Sequence, residues 1–160
     1  MKKILSLLVI VLLFGSCEED VVYNNPSVQG KLDNVFWRAI DSKAVLGTDG
    51  SLTLTASARR QKMTLRVPST NLGVYQLGNS TIRYASFLFT YETDELFYHT
   101  GNNIGGDGQI EITEFDAENG TVSGNFRFNA INIENNPLGG EILNFNRGVF
   151  YKVPVTGVSD

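Results

Sequence analysis

The chain has 160 residues, of which 42% are hydrophobic, 11% aromatic and 19% charged, with a net charge of −4. So much apolar material excludes a disordered chain, and the length suits one domain with at most an export segment. One Cys and one His exclude a disulfide framework and a Cys/His zinc cage, and a single long apolar run, at the very start, excludes a polytopic membrane protein.

Lys2 and Lys3 open the chain and an apolar run follows from Ile4 to Phe14. A transmembrane helix needs about 20 apolar residues, so this run is too short to span stably. A basic start, an apolar middle and small residues before a cut have the form of a secretory signal. Its end, Leu13-Phe14-Gly15-Ser16-Cys17, resembles a bacterial lipobox, in which the Cys is lipidated and becomes the new N-terminus. The plain alternative is an ordinary signal cleaved after Ser16, leaving a free thiol. We therefore expect a lipoprotein signal helix over residues 1–16 and lipidation of Cys17. One acyl chain holds weakly, at about 0.8 kcal/mol per buried methylene, but two or three on one Cys anchor a protein for practical purposes permanently.

Glu18, Glu19 and Asp20 follow at once. This acidic triplet resembles the surface-export signal of Bacteroidetes lipoproteins; the simpler reading is a solvated linker kept extended by its charge. The resemblance implies an outer-membrane location, at the cell surface, with the membrane as partner through Cys17. Losing Lys2 and Lys3 with the signal leaves 11 basic against 17 acidic residues, a net charge of −6. That balance offers no electrostatic footprint for nucleic acid.

Residues 17–27 read as a tether and residues 28–160 as one domain, with no internal repeat or low-complexity break. Along this domain the apolar period is two. Leu52, Leu54 and Ala56 alternate with polar neighbours, as do Met63, Leu65 and Val67, then Ile110 and Ile112, then Val122, Gly124, Phe126, Phe128 and Ala130. Each set puts one row in a core and one in water. A short strand is expected at Val74 to Gln76. Ile82 to Tyr91 is apolar on both sides and predicts a central strand covered on both faces or one facing a groove. Phe145 to Val153 suggests two short strands around Arg147-Gly148. Turn residues separate the runs, including Asp49-Gly50, the Gly101 to Gly108 loop, Asn119-Gly120 and Asn135 to Gly140. No window carries a strong helical stripe. The fold class predicted is all-β, an antiparallel sandwich or barrel of nine or ten strands.

The stretches Gly108-Gln109-Ile110-Glu111-Ile112-Thr113 through Asp116, Val122-Ser123-Gly124-Asn125-Phe126-Arg127-Phe128 through Ala130, and Asn146-Arg147-Gly148-Val149-Phe150 are similar to a recurrent pattern. It belongs to Bacteroidetes lipoproteins known only as a domain of unknown function. Phe36-Trp37 with Ala39, and Gly73 to Gly78, match the same family's other marks. Arg147 stands where that family usually has Asn or Thr. The resemblance implies a β-rich envelope lipoprotein and no activity, so it carries no catalytic residue across.

The residues themselves also lack a convincing catalytic set. His99 stands alone at a strand end, and Ser69, Ser80 and Ser86 lie in no nucleophile elbow. Glu92, Asp94, Glu95, Asp107, Glu111 and Glu114 read as turn or water-facing carboxylates, not as a glycosidase pair. Asn102, Asn103 and Asp107 could supply hard oxygens to calcium, but their spacing is that of an ordinary Asn/Gly turn. Arg59, Arg60, Lys62 and Arg66 read as a solvated hairpin edge. We expect no enzyme and no cofactor, and a structural or binding role. The ligand readings are a small apolar molecule inside a barrel, or a glycan stacked on Trp37, Tyr91 or Tyr98, although aromatics on strands are more often core. Intact mass of membrane-extracted protein is expected to show a lipid-modified Cys17 as the first residue. An unmodified N-terminus would overturn the anchor.

Overall fold

The computed structural model describes residues 27–157, so the signal helix, Cys17 and the acidic triplet lie outside the described residues. Eleven strands follow one another without a helix among those residues: β1 Ser27–Leu32, β2 Val35–Arg38, β3 Asp41–Leu46, β4 Leu52–Ala58, β5 Gln61–Val67, β6 Gly73–Leu77, β7 Tyr84–Thr90, β8 Glu95–His99, β9 Asp107–Asp116, β10 Thr121–Asn132 and β11 Ile142–Gly157. The all-β expectation holds. The count is eleven instead of nine or ten, and the sheet is mixed instead of purely antiparallel, because β3 runs parallel to the end of β11.

The strands form one sheet in the order β2-β1-β11-β3-β4-β5-β7-β8-β10-β9-β6, with β10 also paired to β11. That extra pairing organises the molecule. One edge of β11 lies against β10, and its other edge takes β1 along Phe145 to Tyr151 and then β3 at Val155 to Gly157. Likewise the free edge of β10 takes β9 and then, at Ile131 and Asn132, β8. The hydrogen-bonded path from β11 through β3, β4, β5, β7 and β8 therefore returns to β10 and β11.

The apolar rows of both arms meet in one core. Leu52, Leu54, Leu65 and Val67 from β4 and β5 face Ile110, Ile112 and Phe150 from β9 and β11 across a void of only about 10 Å³. A small-molecule pocket usually offers 300 Å³ or more, on the order of the ligand it holds. At this contact the side chains of the two arms fill the interior. Phe145 is central, with ring centroids 5.5 Å from Trp37, 5.0 Å from Phe126 and 5.6 Å from Phe128.

Two phase slips explain why β11 reads as two short strands. Its buried residues are Leu143, Phe145, Gly148, Phe150 and Val153, so the step of two twice becomes three. At each slip two residues oppose one on β10: Asn146 and Arg147 face Arg127, and Tyr151 and Lys152 face Ser123. These are β-bulges, and Arg147 (φ 51°) and Lys152 (φ 47°) hold left-handed conformations. The Lys152 amide, taken out of the regular ladder, donates to the Ser123 hydroxyl at 3.1 Å. The two-sided strand is also shorter than expected. β7 starts at Tyr84, and Ile82 and Tyr91 are exposed on either side of it.

Close ring-on-glycine contacts fix the register. A Cβ on Gly148 would meet the Phe126 ring at 2.5 Å, and one on Gly30 would meet Phe145 Cε1 at 2.5 Å. Gly148→Ala is expected to destabilise the domain by about 1–3 kcal/mol through overpacking. Arg147→Asn, which places a residue tolerant of the left-handed region at the bulge, should add about 1 kcal/mol. Urea denaturation of both variants checks this; equal midpoints would contradict the bulge argument.

Candidate functional site: a carboxamide groove

The strand alternation that buries Phe126, Phe128 and Ala130 turns Asn125, Arg127 and Asn129 outward. On β11 the same alternation buries Leu143 and Phe145 and leaves Asn144 and Asn146 on the outer face. Register aligns these rows. Asn129 pairs with Asn144 on one side and with Asp107 on the other, while Arg127 pairs with Gln109, which pairs with Gln76.

The result is a directed chain of hydrogen bonds across three strands. Asn146 Nδ2 donates to Asn144 Oδ1, Asn144 Nδ2 to Asn129 Oδ1, and Asn129 Nδ2 to Asp107 Oδ1, each at 2.7 Å. Beside it Arg127 Nη2 donates to Gln109 Oε1 at 3.1 Å. The backbone of Asn144 is held by Asp33, whose amide donates to the Asn144 carbonyl at 2.8 Å and whose carboxylate accepts from the Asn144 amide at 2.9 Å. Gln76, Asp107, Arg127, Asn129, Asn144 and Asn146 line an open groove of about 360 Å³, floored by backbone over the buried Phe128 and Phe145.

Gly108 makes the groove possible. Its φ is 137°, and a Cβ there would lie 2.6 Å from Phe128 Cα, so only glycine lets β9 approach β10 at this point. One carboxylate and one guanidinium balance in charge. The groove can therefore offer hydrogen bonds in both senses without selecting a strongly charged ligand.

The aromatic residues weighed from the sequence do not converge here. Trp37 is 6% exposed, packs edge-on against Phe87 and Phe145, and donates from Nε1 to Gln61 Oε1 at 2.6 Å. Tyr98 is buried too; its hydroxyl donates to the Gly140 carbonyl at 2.9 Å, and burial pushes its pKa up. Neither ring can present a face at the surface, so stacking of a sugar on them is corrected to a core role. Tyr91 is exposed in the β7–β8 turn.

The calcium possibility fares similarly. Asn102 and Asn103 line a separate concavity with Asn79 to Ile82, while Asp107 belongs to the carboxamide chain. Among the described residues no three His, Cys, Asp or Glu side chains converge to hold a metal.

Residues 24–154 match the family model of a domain of unknown function, DUF6252. The chain belongs to the DUF6252 family. No curated protein and no solved structure matches it. The groove of this DUF6252 domain went unnoticed in the sequence because its residues come from β6, β9, β10 and β11. The available signal was compositional: Asn125, Asn129, Asn144 and Asn146 occupy outward positions where Thr, Lys or Glu is commoner on solvated strands.

His99 sits outside the groove of the DUF6252 domain. Its ring lies 4.8 Å from Tyr84 and 6.0 Å from Phe97, its Nδ1 is buried without a partner, and burial pulls its pKa below the ordinary imidazole value. A base with a lowered folded pKa leaves the unfolded chain binding more protons. Stability is thus full above about 6.5 and falls as pH drops from there to the native value. Asp49 is held below the usual carboxylate range by the Ser51 hydroxyl and amide, and Asp116 by Asn119; their contributions are lost only at lower pH, as it passes through their folded values. His99→Gln should flatten the first window, as read by urea midpoints between about pH 7.5 and 5, and leave the acidic one unchanged, as read below about pH 4.

Proposed function

We propose that this protein is a non-enzymatic binding module of the cell envelope. It is a lipoprotein of Bacteroidetes type, tethered through a lipidated Cys17 and directed to the cell surface by Glu18, Glu19 and Asp20. Its ligand is a neutral, hydroxyl-rich molecule, an oligosaccharide in the simplest case, bound along the outer face of β9, β10 and β11.

The observation that carries this reading is the hydrogen-bonded row from Asn146 to Asp107 in the groove. A carboxamide has two N–H donors and an oxygen with two lone pairs. Asn144 and Asn129 each spend one donor and one lone pair on their neighbours. Each keeps one donor and one lone pair. A row of paired donors and acceptors, repeated at the spacing of neighbouring strands, about 4.8 Å, suits hydroxyl groups, which both give and accept. The internal bonds also hold the side chains in place before a ligand arrives, which lowers the ordering cost of binding.

The test is a titration of neutral gluco-, manno- and galacto-oligosaccharides, with polygalacturonate as an acidic comparison. It is followed by calorimetry and by the side-chain amide NMR signals of Asn129, Asn144 and Asn146. A neutral oligosaccharide is expected to move those signals. Asn129→Ala, which breaks the row at its middle, is expected to weaken binding about tenfold, on the order of one to two net hydrogen bonds. Signals that stay still with every neutral sugar, or that respond to polygalacturonate alone, would overturn the reading.

A further inference from the structure

We infer that the β2 edge of the domain is the surface that rests on an anionic bilayer. The inference builds on the lipid tether proposed above. β2 is the terminal strand of the sheet and has only β1 as a neighbour. An exposed edge normally carries polar side chains or stays covered. This one exposes Val35 at 70% and Phe36 at 66%, and Ile40, in the link from β2 to β3, is 77% exposed. Two large apolar side chains on the free edge, with a third just beyond its end, call for a cover.

The charges around them name it. Arg38 is exposed on β2, and Lys31 pairs with Phe36 from β1. The outward cations continue onto β11 with Arg147. Two carboxylates adjoin the edge: Asp33 in the β1–β2 turn, which is bonded to the Asn144 amide, and Asp41 at the start of β3. The opposite side of the same sheet is acidic, with Asp107, Glu111, Glu114 and Asp116 all on β9. A negatively charged surface attracts the first side and repels the second, so the field of the whole domain sets one orientation. Cations beside exposed aromatic and aliphatic side chains are the composition of an interfacial membrane contact.

The chain's connectivity agrees. Ser27, the first residue of β1, stands ten positions after Cys17, so the anchor lies within a fully extended reach of about 35 Å. It is joined to the strand that is hydrogen-bonded to β2. With β2 down, β9 and β6 stand on the far side of the sheet, and the groove lies between, its β11 residues bordered by β1.

The test uses lipidated protein reconstituted into vesicles of phosphatidylcholine alone or mixed with phosphatidylglycerol. The Cys17 thiol is blocked by its own modification, so a single polarity-sensitive fluorophore is placed through Phe36→Cys or, as the distal reference, Glu118→Cys. In the anionic vesicles the probe at position 36 is expected to shift to the blue and be quenched by a lipid-borne quencher, while that at 118 stays as in solution. Lys31→Glu with Arg38→Glu, added to the Phe36→Cys variant, should abolish the shift, each cation being worth about a fivefold partition at an anionic surface. Protein that floats with the vesicles but shows equal probe spectra at 36 and 118 overturns the inference while leaving the tether standing. Protein that fails to float overturns the tether and the inference with it. Shielding at 36 that persists in detergent and grows with protein concentration assigns the edge to a second copy of the chain and overturns the lipid assignment.

Discussion

Phe145 lies with its ring over Gly30, and Phe126 lies with its ring over Gly148. In each case a large side chain takes the space that a Cβ would occupy on the neighbouring strand. This contact does two things at once. It closes the core with aromatic surface, where each ring buries much apolar area. It also fixes which residue stands opposite which, because sliding a strand by one position would put a side chain where only a hydrogen fits. The stack of Phe145, Phe126, Phe128 and Trp37 thus holds β1, β2, β10 and β11 in one register. Both arms of the sheet hang from that register, since β3 and β8 join β11 and β10 at opposite ends of the pair.

The outer groove depends on the same alignment. Asn129, Asn144 and Asp107 face one another only because Phe128 and Phe145 are seated beneath them. Core and site are two faces of the same strands, and the packing of one dictates the spacing of the other. The groove is in this sense an inexpensive feature. It asks only that outward positions on a register already fixed from within carry carboxamides.

Much of the fold is visible in the chain because its strands alternate cleanly. Leu52, Leu54, Met63, Leu65, Ile110, Phe126 and Phe128 all stand in the core, as their period demands. The turns at Asp49-Gly50 and Asn119-Gly120 fall between strands, as their residue types imply. What escapes the reading has physical causes. The bulges at Arg147 and Lys152 break the period of β11, so one sixteen-residue strand looks like two. The parallel contact of β3 with β11 spans only three residues and leaves no mark in either segment. Trp37 and Tyr98 are amphipathic side chains that suit either a core with one polar partner or a ligand, and only the Gln61 and Gly140 acceptors decide it. The groove is hidden most deeply, because no two of its strands' contributions are near in sequence except through a hairpin.

The bulges carry a consequence for how this chain can change. Within a regular strand, losing one residue turns everything beyond it inside out. β11 holds two added residues, so parity is restored at its far end: Leu143 and Val153 both point inward although ten positions separate them and two half-turns of phase lie between. A lineage that dropped Arg147 alone would lose the bulge without losing the phase, because Phe145 and Gly148 would then stand two positions apart and Phe150 and Val153 would stay inside; each bulge is a place where the length of β11 can change by one.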